Sequence, residues 1–221
     1  MDLYEVMRTT FAAREFTGEP VPDEVLGRIF EHARFAPTGG NRQGCHVIVV
    51  RDQATKVRLS ELAQPAARRY AAQVAAGENP WNSVLPTTLS PETVAATAAP
   101  PVLSQPLARA PVVLVVSVDL RVVASLDMEL PRVGVVSGAS VYPFVWNLLL
   151  AARNEGYGGT LTTMPIAEEA QLRALLGIPG YVAVAAVIPI GRPVRQLSKL
   201  RRKAVPEFVT RERWDGAAFG G

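Results

Sequence analysis

The sequence predicts one α+β domain, and three observations carry that reading. Three short apolar runs rich in β-branched residues have the length and flanking turns of buried strands: CHVIVVR at 45–51, PVVLVVSVD at 111–119 and YVAVAAVIPIG at 181–191. Between them, apolar residues recur at helical spacing. The two kinds of segment lack the regular beat of repeated βαβ units, and no linker separates two cores, so a doubly wound sheet is not required. With 221 residues, 48% of them apolar, the chain can bury a sizeable core and is not disordered.

The elements follow in order. Residues 2–9 form a short helix. The segment REFTGEPVP is extended, because two prolines fix φ and discourage helix before them. Pro22 then starts a helix with Asp23 and Glu24 in its first turn, where the dipole favours anions, and Val25, Ile29, Phe30 and Ala33 continue it through Arg34. A glycine-rich loop, APTGGNRQG at 36–44, leads into the first strand. Residues 54–76 are alanine-rich and helical, broken or kinked at Pro65. From Gly77 to Ala110 six prolines and very few charges mark a long irregular segment, read as a lid or functional loop.

After the second strand, Val133 to Ala152 holds no charged residue over a length that could span a membrane. Its Ser137, Gly138, Ser140, Tyr142, Pro143 and Asn147 favour instead a wholly buried helix, set at 138–154 and ended by Gly156 in the left-handed conformation. GYGGTLTTM is a loop or short strand, and EEAQLRALLG is a helix capped by Gly177. The tail from 192 is first basic, then aromatic.

Composition excludes several functions. A single cysteine, Cys45, rules out an internal disulfide framework and a Cys-cluster zinc site, and with only His32 and His46 a histidine-rich metal centre is not expected. The N-terminus lacks a signal-peptide core, so the chain is expected to be soluble and cytoplasmic, with no membrane partner. Formal charge is +3, and Arg192, Arg195, Lys199, Arg201, Arg202 and Lys203 account for it; without those six, 17 basic residues face 20 acidic ones. A run this short, without interleaved aromatics, suits arginines clamping a phosphate as well as a solvated face, and does not point to nucleic acid.

Two loops offer ligand-holding groups. Thr38-Gly-Gly-Asn-Arg-Gln lets the backbone approach a flat or anionic ligand while Asn41 and Gln43 present amides, although turn glycines before a strand are common. Gly156-Tyr-Gly-Gly-Thr-Leu-Thr-Thr is neither G-x-G-x-x-G nor a Walker sequence, so the chain has no dinucleotide fingerprint. There is no G-x-S-x-G, and Cys45 lies in a buried strand as an inert thiol. His46 faces the other way and can reach a ligand, while His32 sits on the polar side of its helix. No carboxylate pair stands out. Such a set suits an enzyme whose cofactor carries the chemistry, with no catalytic side chain of its own.

Four blocks in this order resemble the FMN-dependent nitroreductase family: AREFTGEPVPDEVLGRIFEHARFAPTGGNRQ, CHVIVVRD, the helix with NLLLAARNEGYGG, and LRRKAVPEFV. The resemblance spans most of the chain. It implies a central mixed sheet flanked by helices in an intertwined homodimer, with two FMN sites between subunits. It also implies that Arg14 binds the FMN phosphate, that Pro37, Thr38, Gly39, Asn41 and Gln43 lie against the flavin ring and ribityl chain, that Gly159, Thr160, Leu161, Thr162 and Thr163 face N5 and the pyrimidine edge, and that Arg202 holds the phosphate. Two departures stand out. Thr10, Phe11 and Ala12 replace an Arg-Arg-Ser-like start, with Arg8 about one turn earlier, and Gly44-Cys45 replaces the usual Pro-Trp.

The function this implies is an oxidoreductase passing hydride from NAD(P)H through flavin N5 to a nitroaromatic, quinone or similar small molecule, in two steps at one place. Alternatives on the same fold are reduction of an activated double bond, oxygen-dependent flavin breakdown, or non-catalytic FMN storage. The uncharged helix is expected at an obligate dimer interface, with no stable monomer, and Phe208, Trp214 and Phe219 of the tail wrapping onto the partner.

Overall fold

The structure is a computed structural model that describes residues 1–220. Four strands form one sheet in the order β1-β2-β4-β3: β1 (Cys45–Val50), β2 (Val112–Asp119), β3 (Gly158–Gly159) and β4 (Val182–Gly191). All three pairings are antiparallel, and an irregularity at Val116/Ser117 shifts the β2–β4 register. The parallel component of the expected mixed sheet is a single bridge, from Ala12 to Gly159.

Alternation along β2 divides the core between the two faces of the sheet. Val112, Leu114, Val116 and Val118 pack with Ile29, Val145, Leu148 and Ile188, beneath α2 (Asp23–Ala33) and α7 (Tyr142–Asn154). Val113 and Val115 pack on the opposite side with Leu59, Leu107 and Leu172. These belong to α3 (Gln53–Leu62), α6 (Pro101–Arg109) and α8 (Glu169–Leu176). Both central strands are therefore buried on two sides, which is why they read as unbroken apolar runs.

Helix boundaries follow local chemistry. Asp2 caps α1 (Leu3–Thr9) by accepting from the Tyr4 amide at 2.8 Å, and Asp23 and Glu24 occupy the first turn of α2. Gly177 ends α8 at φ +65°, and Gly156 follows α7 at φ +82°. The break expected at Pro65 separates α3 from α4 (Gln64–Ala75), with the proline in the first turn of α4.

Three expectations need correction. The segment 77–110 is not structureless. It contains α5 (Pro91–Ala96) and α6, each with a proline in its first turn, so Pro91 and Pro101 are helix starts rather than breaks. The uncharged helix begins at Tyr142 rather than 138, after a short 3₁₀ turn at Val136–Ser140. Nor is α7 buried all round within one chain: Tyr142 and Trp146 are 45% and 44% exposed on one stripe. Among the described residues no helix is long and apolar enough to cross a membrane.

Candidate functional site

One group of the expected site residues gathers at the β3 edge of the sheet. After α7 the chain turns at Gly156 and enters β3, pairing Gly158 and Gly159 with Gly191 and Ile190. Gly159 permits this close approach, since a Cβ there would lie 2.6 Å from the Pro189 carbonyl oxygen. The Ala13 amide donates to the Gly159 carbonyl at 3.0 Å, which sets Arg14 beside Thr160. Thr162 then exchanges both backbone hydrogen bonds with Val187, at 3.0 and 2.9 Å. The result is a cavity of 160 Å³ lined by Arg14 and Thr160–Met164, with Tyr70, Val102, Leu103 and Pro106 on its apolar side. Thr160 is buried, and the exposed Arg14 guanidinium makes one hydrogen bond, to the Ala12 carbonyl at 3.3 Å.

A second group lies on the loop before β1. Gly40, Asn41 and Gln43 all adopt left-handed backbone conformations, at φ +62°, +54° and +51°. Two non-glycine residues so placed within three positions store strain of the kind found at ligand-binding loops. Thr38 holds the turn: its carbonyl accepts from the Asn41 amide at 2.9 Å and its hydroxyl from the Gln43 amide at 3.0 Å. The Gln43 side chain donates to Asn41 Oδ1 at 3.1 Å, and the Gly39 amide donates to Ser140 Oγ at 3.0 Å. Pro37, Gly39, Asn41 and Gln43 are exposed.

The two groups do not meet within one chain. β1 and β3 are opposite edges, three strand spacings or about 14 Å apart. The groups also sit at opposite ends: Cys45 aligns through Val118 with Ala183, whereas Gly159 aligns with Ile190, about 23 Å further along β4. Arg202 joins neither group; it is exposed and donates to the neighbouring Arg201 carbonyl at 2.7 Å.

Other singled-out residues are occupied elsewhere. Thr10 is buried and its hydroxyl donates to the Val6 carbonyl at 2.7 Å, while Arg8 sits over the Tyr4 ring. Arg192 pairs with Glu19 at 3.0 Å and lies over Tyr157, which removes it from the cationic run. Cys45 is half-buried, and burial pushes its thiol pKa up, consistent with an unreactive thiol. His32 is exposed. His46 is exposed too and opens into a larger cavity of 720 Å³ with Gln43, Ser117, Asp119 and Tyr181. That cavity contains neither Arg14 nor Thr160–Thr163, so size alone does not identify the site.

Sequence reasoning missed Tyr70, Val102 and Leu103 as cavity walls and Ser140 as the partner of the glycine loop. Tyr70 interrupts an alanine-rich helix, a weak hint that this face meets something. Val102 and Leu103 carried no signal before α6 was known to exist. Ser140 lay within the uncharged run and read as a mere reduction of its hydrophobicity.

Comparison with known proteins bears on this arrangement. The Nitroreductase family matches residues 7–192. Iodotyrosine deiodinase 1 of Rattus norvegicus is 23% identical over 219 residues, covering 94% of this chain and 68% of that protein. An FMN reductase (NAD(P)H) of Bacillus subtilis is 28% identical over 193 residues, covering 86% of this chain and 65% of that one. A solved iodotyrosine deiodinase bound to FMN and 3-iodo-L-tyrosine shares the fold, with a TM-score of 0.68 at 21% identity over 96% of this chain and 99% of its own. The match to residues 7–192 takes in both groups of site residues, and the chain belongs to the nitroreductase family.

Proposed function

We propose that the protein is an FMN-dependent oxidoreductase that takes electrons from NAD(P)H and passes them to a small organic acceptor such as a nitroaromatic or quinone. Each site is built from the β3-edge group of one copy and the glycine loop of a second. The observation that carries this reading is the division of the flavin-binding residues between opposite edges of one sheet.

The residues present fit the cofactor. The exposed, strained Gly39–Gln43 turn would bring backbone close to a planar ligand, and Asn41 and Gln43 offer amides to its polar edge. A cavity of 160 Å³ is too small for a whole flavin mononucleotide, as expected of half a site. Arg14 shares that cavity with Thr160–Thr163, the loop assigned to the pyrimidine edge. On this reading Arg14, expected at the phosphate, would lie nearer the ring end, and Arg202 would hold the phosphate dianion. Thr10 and Ala12, in place of the usual start, contribute no cation there.

When bound, the flavin would supply two-electron redox chemistry between NAD(P)H and an acceptor that uses the same place in turn. The chain's own work is positioning. Arg14 supplies positive charge at the ring end, Thr160–Thr163 hold the edge, and Tyr70, Val102 and Leu103 keep water from the acceptor's side.

The test is the absorbance spectrum of the purified protein, recorded without oxygen before and after adding NADH or NADPH. The reading expects a flavin spectrum that the nicotinamide bleaches and a quinone restores. Protein that retains no FMN and oxidises neither nicotinamide contradicts it. Bound flavin that no nicotinamide reduces supports the storage alternative instead. Deiodination of iodotyrosine, named for two of the similar proteins, is the other reading on this fold. Release of iodide from 3-iodotyrosine by the reduced protein would favour that reading over quinone or nitroaromatic reduction.

A further inference from the structure

The connection between β2 and α7 is not a slack loop. Asp127 is 3% exposed, and its Oδ2 accepts from Arg132 at 2.7 Å, from the Val135 amide at 2.7 Å and from the Val136 amide at 3.3 Å. These bonds fold residues 127–136 onto themselves around one buried carboxylate. The loop so fixed turns its apolar side chains outward. Leu126 is 81% exposed, Met128 78% and Leu130 50%, a concentration of large apolar side chains that one chain leaves open to water.

Both ends of this loop are tied to the glycine-loop half of the site. At one end Val122 packs so closely on Gly44 that a Cβ there would lie 2.6 Å from it. At the other, Ser140 accepts from the Gly39 amide at 3.0 Å. Wherever the Pro37–Gln43 loop goes in the assembled site, the Asp127-pinned loop goes with it. On the reading above, the facing half of that site is the cavity of a second copy, whose lining includes Tyr70, Val102 and Leu103.

We infer that Leu126, Met128 and Leu130 form the missing apolar wall of the acceptor cavity in a second copy of this chain and set its preference for apolar aromatic acceptors. The occupant of the exposed patch is thus the partner copy's active site with its acceptor. The preorganised loop gives up little conformational freedom when it closes over them. The inference rests on the flavin reading above and adds which residues of the facing chain select the acceptor.

The experiment compares wild type, the double variant Leu126→Ser/Met128→Ser, and the control Val84→Ser, which removes an exposed apolar side chain elsewhere. Anaerobic flavin reduction by NADH or NADPH in wild type tests the underlying reading by itself; its absence would fail that reading and not merely the wall. Given reduction, the wall predicts that kcat/KM for 2-methyl-1,4-naphthoquinone drops about tenfold in the double variant. The loss should fall on the KM for the quinone, with flavin content and ferricyanide turnover at saturating nicotinamide unchanged. Val84→Ser should match wild type in every measure. A quinone kcat/KM within about twofold of wild type overturns the inference. Should the double variant shed its flavin, the single variants decide: a KM increase with flavin retained supports the wall, and flavin loss in both overturns it.

Discussion

At Gly159 the fold and the site depend on the absence of a single methyl group. Its Cα faces the Pro189 carbonyl so closely that Gly159→Ala forces β3 away from β4, and with it the Ala13 amide that places Arg14. Overpacking of this kind costs about 1–3 kcal/mol. Gly159→Ala is accordingly expected to lower the melting temperature by several degrees and to weaken flavin binding together with it; an unchanged melting temperature would show that the strand simply shifts. The Gly156–Thr163 stretch fits no phosphate-loop pattern in the sequence, and only the family resemblance marked Gly159–Thr163 as expected cofactor contacts. The role of Arg14 was legible only in part. Its motif marked it as an expected phosphate contact, but its place in one cavity with Thr160–Thr163 depends on a backbone hydrogen bond between segments nearly 150 positions apart, which no local pattern encodes.

Among the elements, the segment from Gly77 to Ala110 shows how local rules mislead when read singly. Its prolines suggested irregular chain, yet proline is also the favoured first residue of a helix, and Pro91 and Pro101 serve that purpose. What organises the preceding turn is Glu78, a residue that drew no notice in the sequence. Its carboxylate accepts from the Gln73 side chain at 3.1 Å, the Thr87 hydroxyl at 2.6 Å, and the Thr88 amide and hydroxyl at 2.8 and 2.9 Å. These donors, led by Thr87, hold its pKa down at about 2. A carboxylate lowered on folding stabilises above its unfolded value of 4.5 and loses that contribution as pH falls through about 2. The clamp should thus be intact at pH 5 and above and open between about 4.5 and 2. Hydrogen exchange at the Thr88 amide, corrected for the intrinsic pH dependence, should lose protection over that window in wild type. In Glu78→Ala it should be unprotected already at pH 6; protection there would mean that Glu78 is not the clamp. The bounds of β1, β2 and β4, by contrast, were read to within a residue or so: β2 and β4 are buried on both faces and leave unbroken apolar runs, whereas β1, expected to be buried too, is an edge strand with His46 and Val49 exposed.

For the molecule as a whole, the uncharged run from Val133 leaves apolar surface that assembly with a second copy would cover. Within one chain α7 keeps Tyr142 and Trp146 on an exposed stripe, and the tail holds Trp214 98% exposed at the tip of a turn closed by the Thr210–Ala218 bridge. Large aromatic surface left open in this way is characteristic of a chain that associates with another copy. The family resemblance supplied the expected site residues but not their division between two edges of a sheet, since strand order is a long-range property. That division is the central claim, and complementation tests it most directly. Arg14→Glu removes the β3-edge half of a site and Gly39→Glu the glycine-loop half, so each variant alone should purify without flavin. Co-expressed, they form mixed dimers in which one of the two sites draws both halves from intact segments. The account predicts that about a quarter of the wild-type flavin and NAD(P)H-driven quinone reduction returns in the mixture. No recovery in mixed dimers would contradict it and place the whole site within one chain.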